Sequence, residues 1–312
     1  MNRTKTIVIG IPTFKRPQGL ARLLASIAAQ QAPFIPHVLV ADNEGDQGAG
    51  LKVVEEVRSR GFPFPLTAIA VPERGISQVR NALMKTAFET LAADALAMVD
   101  DDERVEPGWI AALADMQAQG NFDVVGGTVL PEFESTPPRW SDSLAVYWRT
   151  VYPAGSIDMI HGTTNVLLNR SLHERFPGTL FDSSFGLTGG GDKEFFTRLK
   201  REGAVFGFAA DAVSHEFFDA SRATKSWAVK RAYRIGSGDA RIFKLYSTTF
   251  GAWVKEWVKL STALVLSPLL ILVMAWSPAK GMRAVLMLTR QLGKLNGLFG
   301  KPPRVYETIH GK

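Results

Sequence analysis

The sequence predicts an α/β fold: a mostly parallel central sheet with flanking helices, followed by a basic, helical C-terminal tail. Three observations predict it. Short apolar runs alternate with amphipathic segments through the first hundred residues. Charge is unevenly divided: residues 1–221 carry 20 Lys/Arg against 27 Asp/Glu, whereas residues 222–312 carry 16 against 3. Finally, residues 260–279 contain no charged side chain.

The elements follow in order. Residues 5–11, 37–41, 66–71 and 95–99 read as strands. Between them, residues 18–31, 50–60 and 76–91 read as helices, the first with Leu20, Leu23, Leu24 and Ile27 at helical spacing. Strand–helix alternation of this kind builds a parallel sheet covered by helices. Further on, 109–119 reads as a helix, 122–130 as a strand containing Gly126-Gly127, and 131–142 as a loop. Two short strands, 205–209 and 212–215, close this part, and helical stretches at 222–244 and 282–299 occupy the tail, the last ending at Gly300 and Pro302-Pro303.

Composition bounds the chemistry. The chain has 312 residues, 46% hydrophobic, which suffices for a substantial core. It has no cysteine, which excludes disulfides and thiolate metal sites. Met1 to Lys5 lead directly into Ile7-Val8-Ile9 without a long apolar stretch, so no signal peptide is expected.

Open α/β sheets bind ligands beyond the carboxyl ends of their strands. Four polar segments lie there: Pro12-Thr13-Phe14-Lys15-Arg16-Pro17, Asp42-Asn43-Glu44, Glu73-Arg74-Gly75-Ile76-Ser77 with Arg80-Asn81, and Asp100-Asp101-Asp102-Glu103. Singly, each is explained by a turn or a helix cap. The last is the most telling. Four adjacent carboxylates repel one another, and hard oxygen ligands at a strand end suit Mg²⁺ or Mn²⁺, whose shell phosphate oxygens complete. The alternative is a solvated acidic loop capping the helix that begins near Pro107. Later, Gly189-Gly190-Gly191-Asp192-Lys193-Glu194 leads into a helix, with Asp192 placed either as a cap or as a base in an open approach.

On these segments the chain resembles the family 2 glycosyltransferases of the GT-A type. It is most similar to bacterial enzymes that add sugars to lipid-linked exopolysaccharide precursors, succinoglycan-type glucosyltransferases among them. The resemblance implies a GT-A catalytic domain over 1–221, with a nucleotide-sugar half at 1–105 and an acceptor half at 106–221. It implies a nucleotide-sugar donor, a UDP-hexose, with Pro12, Thr13 and Arg16 lining the nucleotide site and Asp42 bonded to the uracil ring. Arg80 would lie near the nucleotide or its phosphates, Asp100 near the ribose with Asp101 beside it, and Asp102 would bind Mn²⁺ or Mg²⁺ on the diphosphate. Thr164 and Asn165 would lie under the donor sugar. Asp192 would be the general base of a single inverting displacement. The family usually has Glu-Asp there, and this chain has Gly191-Asp192, with Glu194 the nearby alternative. His215 is a lesser metal candidate. Processive members carry Gln-x-x-Arg-Trp near residue 230; Val229-Lys230-Arg231-Ala232-Tyr233-Arg234 lacks it, which argues for one sugar per cycle.

Trp140, Tyr147, Trp148 and Tyr152 read as core packing, with a sugar platform as the alternative. The tail, with its apolar run between Lys255/Lys259 and Lys280/Arg283, reads as membrane-associating. It is expected to hold the enzyme at the cytoplasmic face of the cell membrane, against the inner leaflet, where a polyprenyl-diphosphate-linked saccharide acceptor would sit. A kinked span, a re-entrant hairpin and an interfacial helix stay open. The apolar run makes a membrane a better partner for the tail than nucleic acid. Two rival functions are a sugar nucleotidyltransferase, disfavoured because residues 11–17 contain no glycine, and a nucleotide-sugar-binding scaffold without activity.

Overall fold

The computed structural model describes residues 5–300 except Pro177 and Thr179; the expected end of the last helix at Pro302-Pro303 lies outside them. The first half follows the predicted alternation. Strand β1 (Ile7–Thr13) leads to α1 (Pro17–Ala28), β2 (His37–Asp42), α2 (Ala49–Ser59), β3 (Leu66–Ala70), α3 (Ile76–Lys85) and β4 (Ala95–Met98). These four strands are parallel, in the order β3-β2-β1-β4. Strand β1 is buried throughout because helices cover both faces of the sheet. Ile7, Ile9 and Ile11 pack with Leu20, Leu23 and Leu24 of α1 on one side. Val8 packs with Leu83 and Met84 of α3 on the other. Pro17 opens α1, where a missing N–H costs nothing.

The second half departs from the parallel pattern. It comprises β5 (Glu103–Val105), α4 (Trp109–Gly120), β6 (Val124–Phe133), β7 (Gly155–Ile157), β8 (Val166–Asn169), α5 (Arg170–Arg175), α6 (Gly191–Arg201) and β9 (Phe206–Phe218). The nine-stranded sheet continues β4-β8-β6-β9-β5, with β7 also paired to β9. Strand β8 runs antiparallel to both β4 and β6, while β6 and β9 are parallel. One sheet therefore joins residues on both sides of 105. Strands β5 and β7 were not expected, and the two short strands near 205–215 are one 13-residue strand. The exposed Asp211 lies between the two expected ranges, beside the register shift after Gly127 in the neighbouring strand. Strand β6 also runs on to Phe133, into the expected loop.

Three helices form the described part of the tail: α7 (Lys225–Tyr246), α8 (Phe250–Met274) and α9 (Pro278–Phe299). Thr224 caps α7 by accepting from the Trp227 N–H at 3.2 Å. The α7–α9 seam is glycine-lined: a Cβ on Gly236 would fall 2.0 Å from the Arg290 carbonyl oxygen, and one on Gly293 the same distance from that of Tyr233. Tyr147, Phe218, Ala228, Ala232, Met282 and Leu286 form a third core that fastens α7 and α9 to the end of β9. Tyr147 stacks on Trp227 at 5.3 Å between ring centroids, so it is a core residue as expected. The apolar run 260–279 is not one helix. It fills the last part of α8, which contains Pro268, and the turn into α9. Helix α8 is long and apolar enough to cross a membrane by length and composition, and only 11% of its most apolar window is buried.

Candidate active site

The carboxyl ends of β1 and β4, the start of α6 and one face of α7 surround a cavity of about 1120 Å³. Pro12, Thr13, Arg16, Arg80, Asp100, Asp101, Asp102, Thr164, Asn165 and Asp192 all line it. Residues from five separate segments are thus brought together, three of them following parallel strands as the strand-end rule requires.

The aspartate cluster divides by partner. Asp101 is buried and ties the first loop to the fourth strand: it accepts from Thr13 Oγ1 at 2.8 Å, the Phe14 N–H at 3.4 Å and Arg16 at 3.1 Å. Burial pushes its carboxyl up to about 7, against the pull of Arg16. Gly19, in α1, permits the close approach of the Asp101 backbone, since a Cβ there would lie 2.4 Å from the Asp101 carbonyl oxygen. Asp102 Oδ2 accepts from Arg16 at 3.0 Å and Arg222 at 2.8 Å. Asp100 lies 3.5 Å from Arg80, which is itself buried.

Behind this edge is a network the sequence reading did not anticipate. Glu216, on β9, receives Arg149 at 2.7 Å and Arg222 at 2.9 Å, with Arg231 at 3.5 Å. Burial opposes its charge, but the three guanidiniums outweigh burial and hold its carboxyl well below the usual range. Arg222 bridges Asp102 and Glu216, so the first residue of the basic tail completes the acidic edge. Strand alternation turns Glu216 inward with Phe218 and sends His215 the other way, 2.7 Å from Glu106 Oε1. His215 is therefore no metal candidate at this cavity.

Asp42 is not brought to the cavity. It is fully buried at the end of β2, accepting from the N–H groups of Glu44 at 2.8 Å, Gly50 at 2.8 Å and Leu51 at 3.2 Å. It serves the start of α2, whose Gly48 and Gly50 approach too closely for any side chain: a Cβ on either would fall 2.0 or 2.7 Å from Asp42 Oδ2. A role in binding uracil does not fit this orientation. Asn165 lines the cavity with its backbone in the left-handed region (φ 56°) while its side chain braces the fold. It accepts from Trp109 Nε1 at 2.7 Å and donates to the Thr128 and Ala212 carbonyls. Gly127 makes room for it, since a Cβ there would lie 2.5 Å from Asn165 Oδ1. Thr164 accepts from Arg149 and so belongs to the Glu216 network.

Asp192 stands in the first turn of α6, entered through Gly190 at φ 89°. Its Oδ1 accepts from the Lys193 N–H at 2.8 Å; Oδ2 faces Gly162, 3.7 Å from where a Cβ would be. Glu194, the alternative base, turns inward instead. It is buried against Arg198 at 2.9 Å and the Tyr246 hydroxyl, and does not line the cavity.

The edge fits a hard divalent cation. Asp100 and Asp102 present carboxylates to the cavity. Beside them Glu103 is buried with neither oxygen hydrogen-bonded. Burial pushes it well above its usual range; Arg149 opposes this, and Asp100 and Glu216 add to it. Among the described residues no three His, Cys, Asp or Glu side chains converge as a ready-made metal site. Phosphate oxygens and water would have to complete the shell.

Comparison with known proteins identifies the family and the fold. Residues 8–177 match Glycosyl transferase family 2. The succinoglycan biosynthesis protein ExoM of Rhizobium meliloti (strain 1021) is 33% identical over 244 residues, covering 77% of this chain and 76% of ExoM. Among solved structures, the mannosyltransferase PcManGT from Pyrobaculum calidifontis, in complex with GDP-Man and Mn²⁺, superposes with a TM-score of 0.61 at 18% identity. That match covers 96% of this chain and 88% of PcManGT. S. aureus TarS 1-349 in complex with UDP gives 0.54 at 14% identity, covering 93% and 90%. At these identities the solved structures establish the GT-A fold. The profile match and the ExoM relationship establish more: this chain belongs to glycosyl transferase family 2, as a glycosyltransferase related to exopolysaccharide biosynthesis.

Proposed function

We propose that the protein is an inverting, non-processive hexosyltransferase. Its donor would be a nucleotide-sugar, a UDP-hexose, and its acceptor a polyprenyl-diphosphate-linked saccharide at the cytoplasmic face of the cell membrane. In this reading residues 1–221 are the catalytic unit and 222–312 the membrane-associating region. The observation that carries it is that one cavity holds both the strand-end residues of a nucleotide site and a carboxylate, Asp192, in an open approach of its own.

Pro12, Thr13, Arg16, Arg80 and Asp100 would contact the donor, with Asp101 fixing the loop that presents Thr13 and Arg16. Asp102 would hold Mn²⁺ or Mg²⁺; when bound, the ion neutralises charge on the leaving diphosphate. Asp192 accepts the proton of the acceptor hydroxyl as that oxygen attacks the anomeric carbon. Glycines 189 to 191 leave space for the acceptor at this point. Arg16 and Arg222 hold Asp102 in place and stand ready to meet phosphate oxygens. With Asp42 committed to α2, the UDP assignment rests on resemblance, and PcManGT is a neighbour that takes GDP-Man.

A donor screen tests the reading. UDP- and GDP-hexoses are incubated with membrane lipid extract and Mg²⁺ or Mn²⁺, and products are read by mass spectrometry. Addition of one hexose to a lipid-linked saccharide is expected; transfer of a nucleotidyl group would instead support a nucleotidyltransferase.

A further inference from the structure

The donor reading uses the sheet side of the cavity and leaves the opposite wall without a ligand. That wall is one face of α7: Trp227, Lys230, Arg231, Arg234 and Gly238 recur at three- and four-residue spacing, and all line the cavity. The cavity as a whole is lined by nine basic and six acidic side chains, a surplus of three positive charges despite the aspartate cluster. Acids on the α7 side are already matched. Asp239 is paired with Lys193 and Arg290, each at 2.5 Å, and Glu216 with Arg149 and Arg222. Lys230 and Arg234 add their charge to that wall, Lys230 from an exposed position.

Size points the same way. At about 1120 Å³ the cavity exceeds the roughly 300–1,000 Å³ of a single small-molecule site, so a second ligand can lie beside the donor. The chemistry of that ligand follows from what α7 is joined to. Its glycine seam fixes it to α9, which turns directly out of α8. The outer surface of α8 and the following turn exposes Leu269, Leu272, Val273 and Trp276, the last three at 67–75%. A cationic wall and an exposed apolar surface thus belong to one helical unit.

We infer that the α7 face is a phosphate subsite for an amphiphilic acceptor, a diphosphate joined to an isoprenoid chain, occupied together with the donor. This rests on the acceptor reading above and adds the residues that would recognise it, Lys230 and Arg234. Phosphate could also come from the headgroup of a bilayer lipid, and the experiment separates the two.

Full-length protein with Mn²⁺, and with UDP and GDP both in excess to fill the donor site, is titrated with farnesyl diphosphate. The parent is compared with Lys230→Gln/Arg234→Gln. Loss of two charge-assisted contacts should weaken farnesyl diphosphate binding by about tenfold or more. Nucleotide affinity and co-sedimentation with phosphatidylglycerol vesicles should stay within about twofold, since both depend on sites elsewhere. Equal binding of farnesyl diphosphate by variant and parent overturns the subsite. So does loss of vesicle binding with farnesyl diphosphate binding retained, which would make the face a lipid-headgroup contact. Should the double variant misfold, Lys230→Gln alone carries the same test, with a smaller loss of about threefold. Binding of neither nucleotide would count against the donor reading alone, because the farnesyl diphosphate comparison is still decided.

Discussion

Asp192 and Glu194 stand two residues apart on one helix and meet opposite surroundings. Asp192 faces the cavity, whereas Glu194 is enclosed by Arg198 and Tyr246. Asp192→Asn is therefore expected to lower transfer by ~10²–10⁴-fold, the usual worth of a general base, and to leave nucleotide affinity unchanged by calorimetry. Glu194→Gln should instead lower the unfolding midpoint. Glu216 gives a second contrast. Its removal leaves Arg149, Arg222 and Arg231 facing one another, so Glu216→Ala should destabilise the fold by about 3–5 kcal/mol in a denaturant titration. Residue positions were legible in the sequence where a strand end fixes the place of a loop; side-chain direction was not. Asp42 sits where a strand-end ligand would, yet the close approach of Gly48 and Gly50 turns it toward α2. Glu216 lay in a His-Glu pair whose inward member could be chosen only once β9 was known to be continuous. Arg149, among aromatic neighbours, carried no signal of its own.

At the scale of elements, the four parallel strands and their helices follow from apolar patterning: β1, β2 and β4 are buried on both faces, and the edge strand β3 is half-buried. Strands β5 and β7 escape that reading. Three residues each, they are held by pairing to β9 rather than by a pattern of their own. The tail helices were legible as helices, but their packing was not: it depends on glycines that bring α7 and α9 backbones together. Gly293→Ala should force the helices apart and lower stability by roughly 1–3 kcal/mol, measured by thermal unfolding. The exposed end of α8 makes a separate prediction. Leu272→Glu/Val273→Glu should reduce co-sedimentation with anionic vesicles by about tenfold or more while leaving the unfolding midpoint near that of the parent, because these side chains are already in solvent. Unchanged sedimentation would place the membrane contact elsewhere.

Over the whole molecule, the acidic sheet edge and the basic tail are parts of one electrostatic unit. Arg222 joins them by reaching Asp102 on one side and Glu216 on the other. The charge asymmetry seen along the chain is thus partly resolved in space, at the wall of the cavity. The most direct test of this account is mass spectrometry of lipid-linked products formed by the parent and by Asp192→Asn, from UDP- and GDP-hexoses with Mn²⁺. The account predicts that the parent adds one hexose per acceptor and that the variant, still binding nucleotide, forms ~10²–10⁴-fold less of that product. Equal transfer by the variant, or a nucleotidyl product from the parent, would contradict it.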